Sequence, residues 1–118
     1  MEYQVKEVQG RRYLWLPPAG ELIQTQQDGL DVISACFQED AALLMISGER
    51  LSPDFGKLAT GLAGAVLEKL GQYHIKTVLV LDPDQAKGKF AEFLAEANRG
   101  RMFRAYPTLE EAERWLLG

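Results

Sequence analysis

Two short, continuous apolar runs constrain the fold of this chain more than any other feature of its sequence. One is Leu43-Leu44-Met45-Ile46, within residues 41–47, and the other is Val78-Leu79-Val80-Leu81, within residues 77–81. Neither run alternates with polar residues, which is typical of strands that are covered on both faces, as in parallel sheets. We therefore expect both segments to be buried strands of a parallel sheet.

The segments around these runs predict an alternation of strands and helices. Residues 3–8 and 13–16 are rich in aromatic and β-branched side chains and flank Gln9-Gly10-Arg11, a pattern that predicts a β-hairpin. A last strand is predicted over residues 103–106. The resulting order is β-β-α-β-α-β-α-β-α, a single α/β domain over residues 1–118 with a mostly parallel sheet of about five strands.

Capping residues predict where the first and last helices begin. Thr25 is suited to cap the first helix, with Asp28 in its first turn near the positive end of the helix dipole. Thr108 with Glu111 three residues later has the pattern of a capping box for the closing helix. Both helices are therefore expected to start just after a threonine.

Two further helices are predicted between the later strands. The central helix is expected to begin at Ser52, with Pro53 at its first helical position, to carry Leu58 in its apolar stripe and to end at Gly71. The next helix is expected from residue 84 or 87 to residue 98. The central helix would thus occupy most of the chain between the two apolar runs.

The two apolar runs also need cover on both faces of the sheet. If successive strands are spatial neighbours and every crossover is right-handed, all the connecting helices fall on one side. Either a reversal in strand order or a partner subunit must then cover the other side, and the second alternative predicts a homo-oligomer. The order of elements leaves both alternatives open.

Composition and charge exclude several classes of function. The net charge of −4 and a pI near 5.0 argue against nucleic-acid binding, which needs a basic face to neutralise phosphates. No apolar run approaches the roughly 18 residues of a membrane span, and residues 1–7 lack the apolar core of a signal peptide, so we expect a cytoplasmic protein. With one cysteine, Cys36, and one histidine, His74, we expect a buried thiol and neither a metal site nor a cofactor.

One candidate ligand site lies where the predicted parallel strands end. Ser47 follows the first apolar run, and Asp82 and Asp84 follow the second. Ligands of α/β folds bind at the carboxyl ends of such strands. The alternative is local, since Asp-Pro-Asp also starts a turn and caps a helix.

Small and basic residues supply two weaker candidates. Small side chains at helical spacing on the central helix predict a ridge for close packing or for contact with a partner: Gly56, Thr60, Gly61 and Gly64. The local concentration of positive charge predicts a patch for an anion or an acidic partner: Arg99, Arg101 and Arg104. Stabilisation of a helix carboxyl terminus explains the arginines equally well.

Three stretches of the sequence resemble a family of small bacterial proteins known as a domain of unknown function. They are residues 58–73 (LATGLAGAVLEK and the following QY), residues 96–103 and residues 108–116. In its order of elements the family is similar to STAS domains, the anti-sigma-factor-antagonist-like fold, in which βα units wind as a superhelix. The resemblance covers residues 3–116 and implies the same α/β superhelix here.

The resemblance implies binding rather than catalysis. STAS-like domains typically act as binding modules, and in some a phosphorylated Ser or Thr at the start of the helix after the third strand is the switch. Ser52 occupies about that place, where it is also an ordinary helix cap. We therefore expect an intracellular interaction module that binds an unknown protein partner, and regulation is one role that such a module can have. The alternative is a small-molecule binder or minor enzyme that uses the strand ends, and the sequence leaves enzymatic activity undecided.

Overall fold

The order of strands and helices in the structure is the predicted one. A computed structural model describes residues 1–57 and 60–118. The strands are β1 (Gln4–Val8), β2 (Arg11–Leu16), β3 (Leu43–Ser47), β4 (Lys76–Val80) and β5 (Phe103–Tyr106). The helices are α1 (Gln26–Gln38), α2 (Leu62–Gln72), α3 (Gly88–Ala97) and α4 (Leu109–Leu117). The chain therefore has an α/β fold.

The strands form a mixed, mostly parallel sheet in the order β1-β2-β3-β4-β5. β1 pairs with β2 in antiparallel orientation, and the other neighbours are parallel. Gln9 and Gly10 join the hairpin with positive φ angles of 53° and 78°, as a two-residue type I′ turn requires. In β3, Met45 lies between Trp15 of β2 and Val78 of β4, and every residue of this strand is buried. The first apolar run is therefore a strand covered on both faces, as predicted.

Helices α1, α2 and α3 contribute to the core on one face of the sheet. Val32 of α1, Val66 of α2 and Leu94 of α3 share this core with Leu44 and Leu79 of the sheet. These helices are the connections between successive parallel strands. Their common side is what right-handed crossovers between neighbouring strands produce.

Helix α4 covers the opposite face. Its residues Ala112 and Leu116 pack in a second buried cluster with Trp15, Met45 and Val78. Of the two alternatives left open by the sequence, a reversal of strand order is wrong, because the strands lie side by side in sequence order. The second face of the sheet is covered by a helix of the same chain, without the need for a partner subunit.

The handedness rule does not determine the side on which α4 lies. The rule concerns connections between parallel strands, and α4 follows β5 without leading to another described strand.

Cations from the sheet hold the carboxyl terminus of α4. The Lys76 ammonium donates hydrogen bonds to the carbonyls of Trp115 (2.8 Å) and Leu116 (3.1 Å), and it lies 4.5 Å from the centre of the Trp115 ring. The Arg11 guanidinium donates to the carbonyl of Leu117. The Trp115 carbonyl also accepts from the Gly118 N–H at 3.2 Å, whereas the Leu116 and Leu117 carbonyls lie beyond the reach of the helix's own N–H groups. Positive charge is favourable at this end of the helix dipole. The two cations dock α4 against the amino-terminal ends of β2 and β4.

Both predicted threonine caps are confirmed. The Thr25 hydroxyl accepts from the Asp28 N–H at 3.1 Å, and the Asp28 carboxylate accepts from the Thr25 N–H at 3.1 Å, which completes a capping box at α1. The Thr108 hydroxyl accepts from the Glu111 N–H at 3.2 Å at the start of α4. In α4 the Thr108 hydroxyl donates to the Glu111 carboxylate at 3.1 Å. The second bond of a capping box, from the Thr108 N–H to the Glu111 carboxylate, is not formed.

The predicted start of the central helix is wrong. Helix α2 begins at Leu62, and residues 53–56 form a turn instead of a first helical turn. Gly61, immediately before α2, has a φ of +76°, a left-handed conformation that a right-handed helix cannot include. The predicted stripe residue Leu58 lies outside the described residues. The following helix, α3, begins at Gly88, close to the later of its two predicted starts.

Candidate functional site

A cleft of about 480 Å³ lies at the carboxyl ends of the parallel strands. Its floor and walls are mostly apolar, with a few polar groups at the strand ends. The lining residues are Trp15, Pro18, Ser47, Gly48, Glu49, Val80, Leu81, Asp82, Pro107 and Leu109. This is the position at which α/β folds bind ligands.

Two of the three residues predicted for the strand ends meet in this cleft. Ser47 and Asp82 both line it, whereas Asp84 does not. Each of the two also caps its own turn: the Ser47 hydroxyl accepts from the Glu49 N–H at 3.3 Å, and the Asp82 carboxylate accepts from the Asp84 N–H at 2.9 Å. Ser47 and Asp82 therefore have a structural role as caps of their own turns and are also placed where a ligand in the cleft could contact them.

A second cleft, of about 380 Å³, continues from the first along the side of α4. The two clefts share Trp15 and Leu109, and the second is completed by Lys6, Val8, Tyr13, Glu110 and Glu113. Leu109 is the first residue of α4 and keeps 51% of its surface exposed. We call the two joined clefts the α4 groove.

The α4 groove exists because one short helix covers a face that is five strands wide. Helix α4 packs against β3, β4 and β5, and the β1–β2 hairpin forms the opposite wall of the groove. The Tyr13 hydroxyl of β2 donates a 2.6 Å hydrogen bond to the Glu113 carboxylate across the groove floor. Burial, and then this carboxylate, raise the pKa of Tyr13 well above its ordinary value. The phenol therefore stays protonated and ties the hairpin to the helix.

A buried arginine, Arg50, fixes the loop that forms one wall of the groove. Its side chain has no exposed surface. Its guanidinium donates to the backbone carbonyls of Glu21 (2.6 Å), Glu2 (3.0 Å) and Pro17 (3.1 Å). Pro18, next to one of these carbonyls, lines the strand-end cleft. Burial lowers the pKa of Arg50 and the charges of Glu2 and Glu21 oppose this shift.

Gly20 allows this loop to approach the guanidinium. A Cβ atom at Gly20 would lie 2.8 Å from the Arg50 Cζ, and its φ of +139° is one that residues with side chains rarely adopt. Sequence reasoning missed the role of Arg50, because nothing in the order of residues distinguishes a buried arginine from an exposed one. The one sequence signal was the glycine in the Pro17-Pro18-Ala19-Gly20 loop, which allows another group to approach the backbone closely.

The sequence of this chain matches the family model of DUF4180, a domain of unknown function, over residues 8–116. The chain belongs to this family. The match confirms the predicted membership of a family of domains of unknown function, and the similarity to STAS domains stays a prediction. Among curated proteins, none matches the sequence. The description of the DUF4180 family assigns no activity, so the function has to be inferred from the site.

Ser52 of this DUF4180 domain does not lie at a helix terminus. Its N–H donates to the Ile23 carbonyl at 3.2 Å, its carbonyl accepts from the Phe55 N–H at 3.0 Å, and α2 begins only at Leu62. The prediction that Ser52 lies at the start of the central helix and caps it is therefore wrong. The hydroxyl is buried, without a hydrogen-bond partner among the described residues. Phosphorylation of Ser52 stays a prediction, and it would require the loop to open.

The small residues predicted to form a ridge in the DUF4180 domain do not share one helix. Gly56 lies in the turn before α2, Thr60 and Gly61 precede the helix, and only Gly64 is within it. A Cβ atom at Gly61 or Gly64 would meet nothing within 4 Å. These two glycines therefore do not mark a close approach of another backbone, and contact of the small residues with a partner stays a prediction. The close approach of α1 to α2 is instead at Gly29, where a Cβ would lie 2.7 Å from Val66.

The three arginines of the predicted basic patch have different environments. Arg104 donates to the Gly100 carbonyl at 2.8 Å and to the Tyr106 hydroxyl at 3.0 Å, and it lies 5.4 Å from the centre of the Trp115 ring. Arg99 is 3.8 Å from the Glu96 carboxylate, with both side chains largely exposed, and Arg101 is exposed. Arg104 thus has a packing role beside α4, and only the other two present open surface.

The single histidine and the single cysteine of the sequence lie outside the α4 groove. His74 is exposed at the junction before β4, at the opposite end of the sheet from the strand-end cleft. Cys36 is fully buried, as predicted, and burial raises the pKa of its thiol to about 12. Over residues 1–57 and 60–118 no cluster of His, Cys, Asp and Glu side chains is suited to hold a metal ion. In the same ranges, no helix has both the length and the apolar character to cross a membrane.

Proposed function

We propose that this DUF4180 domain is a protein-binding module and that the α4 groove is its binding surface. The observation that carries the proposal is Leu109, a large apolar side chain that is half exposed where the two clefts meet over Trp15. An exposed apolar group in a concave surface with a polar rim is typical of an interaction site. The proposal includes the cytoplasmic location, the bacterial origin and the self-association predicted from the sequence.

The shape of the groove supports a peptide segment as the bound element. The joined clefts run from the strand ends past Leu109 and along α4 to Glu113, with apolar groups in the floor. The Tyr13 to Glu113 hydrogen bond joins the hairpin wall to α4 across the groove floor. The loop that is anchored by Arg50 fixes a wall of the strand-end cleft. A preformed groove loses little conformational entropy on binding, which favours affinity from few contacts.

The experiment is a selection of displayed random 12-residue peptides on the purified domain, followed by measurement of affinity for synthetic copies. We expect Leu109→Glu to weaken binding of the selected peptides by about tenfold or more, because a charge replaces half-exposed apolar surface at the contact. Leu30→Glu is the matched control, since Leu30 is 37% exposed on α1, on the other face of the sheet. Peptides that bind the Leu109→Glu protein as tightly as the wild type would contradict the proposal.

A second candidate function is small-molecule binding in the strand-end cleft, which is favoured by the presence of Ser47 and Asp82 in one cavity of about 480 Å³. Such a ligand would perturb the amide signals of these two residues in a fragment screen by NMR. It would leave unchanged the signals of Glu110 and Glu113, which line the second cleft but not the strand-end cleft. A peptide in the α4 groove would perturb both sets.

A further inference from the structure

The α4 groove carries an excess of negative charge. Its charged lining residues are Glu49 and Asp82 in the strand-end cleft, and Lys6, Glu110 and Glu113 in the cleft beside α4. Four carboxylates thus face one ammonium group. Glu49 and Glu110 are exposed, so their charges are available to a bound partner.

The carboxylates lie on both sides of the apolar centre. Trp15 and Leu109 belong to both clefts, whereas Glu49 and Asp82 belong only to the first and Glu110 and Glu113 only to the second. Along its length, the groove is therefore acidic at one end, apolar in the centre and acidic at the other end. Glu110 also suits the first turn of α4, Asp82 also caps a turn, and Glu49 lies in the single 3₁₀ turn at residues 48–50.

We infer that the segment bound in the α4 groove is a basic peptide, with a large apolar side chain over Trp15 and Leu109 and with Lys or Arg on both sides of it. This inference rests on the proposed function and adds the chemistry of the partner. Cationic side chains complement the two acidic ends, and an apolar anchor buries the exposed part of Leu109. The same charges repel phosphate groups, which disfavours nucleic acids and anionic lipid surfaces as occupants.

The test uses the peptides selected on the purified domain and a double variant, Glu49→Gln with Glu110→Gln. We expect the selected peptides to be enriched in Lys and Arg on both sides of an apolar residue. Their affinity should fall about 3- to 10-fold in the double variant at low salt, because two exposed charge pairs are lost. Raising the ionic strength from about 0.05 M to about 0.5 M should remove most of this difference. The control is Glu68→Gln with Glu92→Gln, two exposed residues on α2 and α3.

The possible results distinguish the failure of this inference from the failure of the proposed function. Selected peptides that depend on Leu109 but have no basic enrichment, and that bind the Glu49/Glu110 variant normally, overturn the inference and leave the proposed function standing. An absence of any selected peptide that depends on Leu109 overturns both. Equal weakening by the control pair also overturns the inference, since the effect would then reflect net charge rather than the groove.

Discussion

Arg50→Met tests the physical account of the groove wall most directly. Methionine fills much of the same buried volume but provides no hydrogen-bond donor. The carbonyls of Glu2, Pro17 and Glu21, which now accept from the guanidinium at 2.6 to 3.1 Å, would lose their partner. The segments around Glu2 and Pro17 would lose their bonds to the loop after β3, and the segment after Glu21 would keep only the backbone bonds that join Ile23 to Arg50 and Ser52.

The magnitude follows from two opposing terms. A hydrogen bond to a charged group contributes about 1.5–3 kcal/mol, and Arg50 makes three within 3.1 Å. Desolvation of the buried guanidinium offsets several kcal/mol of this sum. We therefore expect a net loss of about 3–4 kcal/mol in the free energy of unfolding, out of a total of about 6–18 kcal/mol for a domain of this length. The melting temperature should fall by roughly 10–20 °C.

The assay is urea unfolding followed by tryptophan fluorescence and by circular dichroism. Arg101→Met is the control, because Arg101 is exposed and lies outside the helices and strands, and it should change the free energy of unfolding by less than about 0.5 kcal/mol. Amide exchange should accelerate in residues 19–24 of the Arg50→Met protein, the part of this loop that carries backbone N–H groups. A loss below about 1 kcal/mol would refute the reasoning, since the carbonyls would then be satisfied without the guanidinium.

Four further substitutions test other contacts. Gly20→Ala should cost about 1–3 kcal/mol in urea unfolding, because the new Cβ meets the Arg50 guanidinium at 2.8 Å, whereas Gly64→Ala, in open space on α2, should gain about 0.5–1 kcal/mol. The unfolded Cys36 thiol ionises near 9.0 and the folded one near 12, so wild-type stability falls with rising pH in this window. From pH 8 to pH 10 that loss is about 1.4 kcal/mol, and a Cys36→Ala protein whose stability falls as far as the wild type's would contradict it. Lys76→Met should speed amide exchange in α4 but not in α1, because the helix loses its carbonyl partners; equal acceleration in both would indicate global destabilisation instead.

The sequence predicted the sheet because its signals are local. The apolar runs at residues 43–46 and 78–81 cannot be solvent-facing strands, and the hairpin turn and the threonine caps depend on residues that are neighbours in the chain. The edge of the sheet that carries Ser47 and Asp82 was predicted for the same reason, since carboxyl ends of parallel strands meet at one edge.

The rest of the site depends on contacts between distant residues. Which face of the sheet α4 covers decides whether a groove exists. The helix packs on Trp15, Met45 and Val78, which are distant from it in sequence. Lys76 and Arg11, about 40 and 106 residues away in sequence from the carbonyls that they bind, then hold its end. Arg50 reaches carbonyls 29 to 48 residues away. The predicted helix start at Ser52 was wrong because a capping residue shows only where a helix can begin. The left-handed backbone of Gly61 prevents a helix from passing through this residue, so α2 begins after it.

The position of α4 has a consequence for synthesis on the ribosome. All five strands leave the exit tunnel before α4, and Trp15, Met45 and Val78 have no helix over them until it arrives. Contacts such as Tyr13 with Glu113 span 100 residues and therefore form late. The nascent sheet passes through a stage with one bare apolar face, at which pairing with another nascent chain competes with docking of α4.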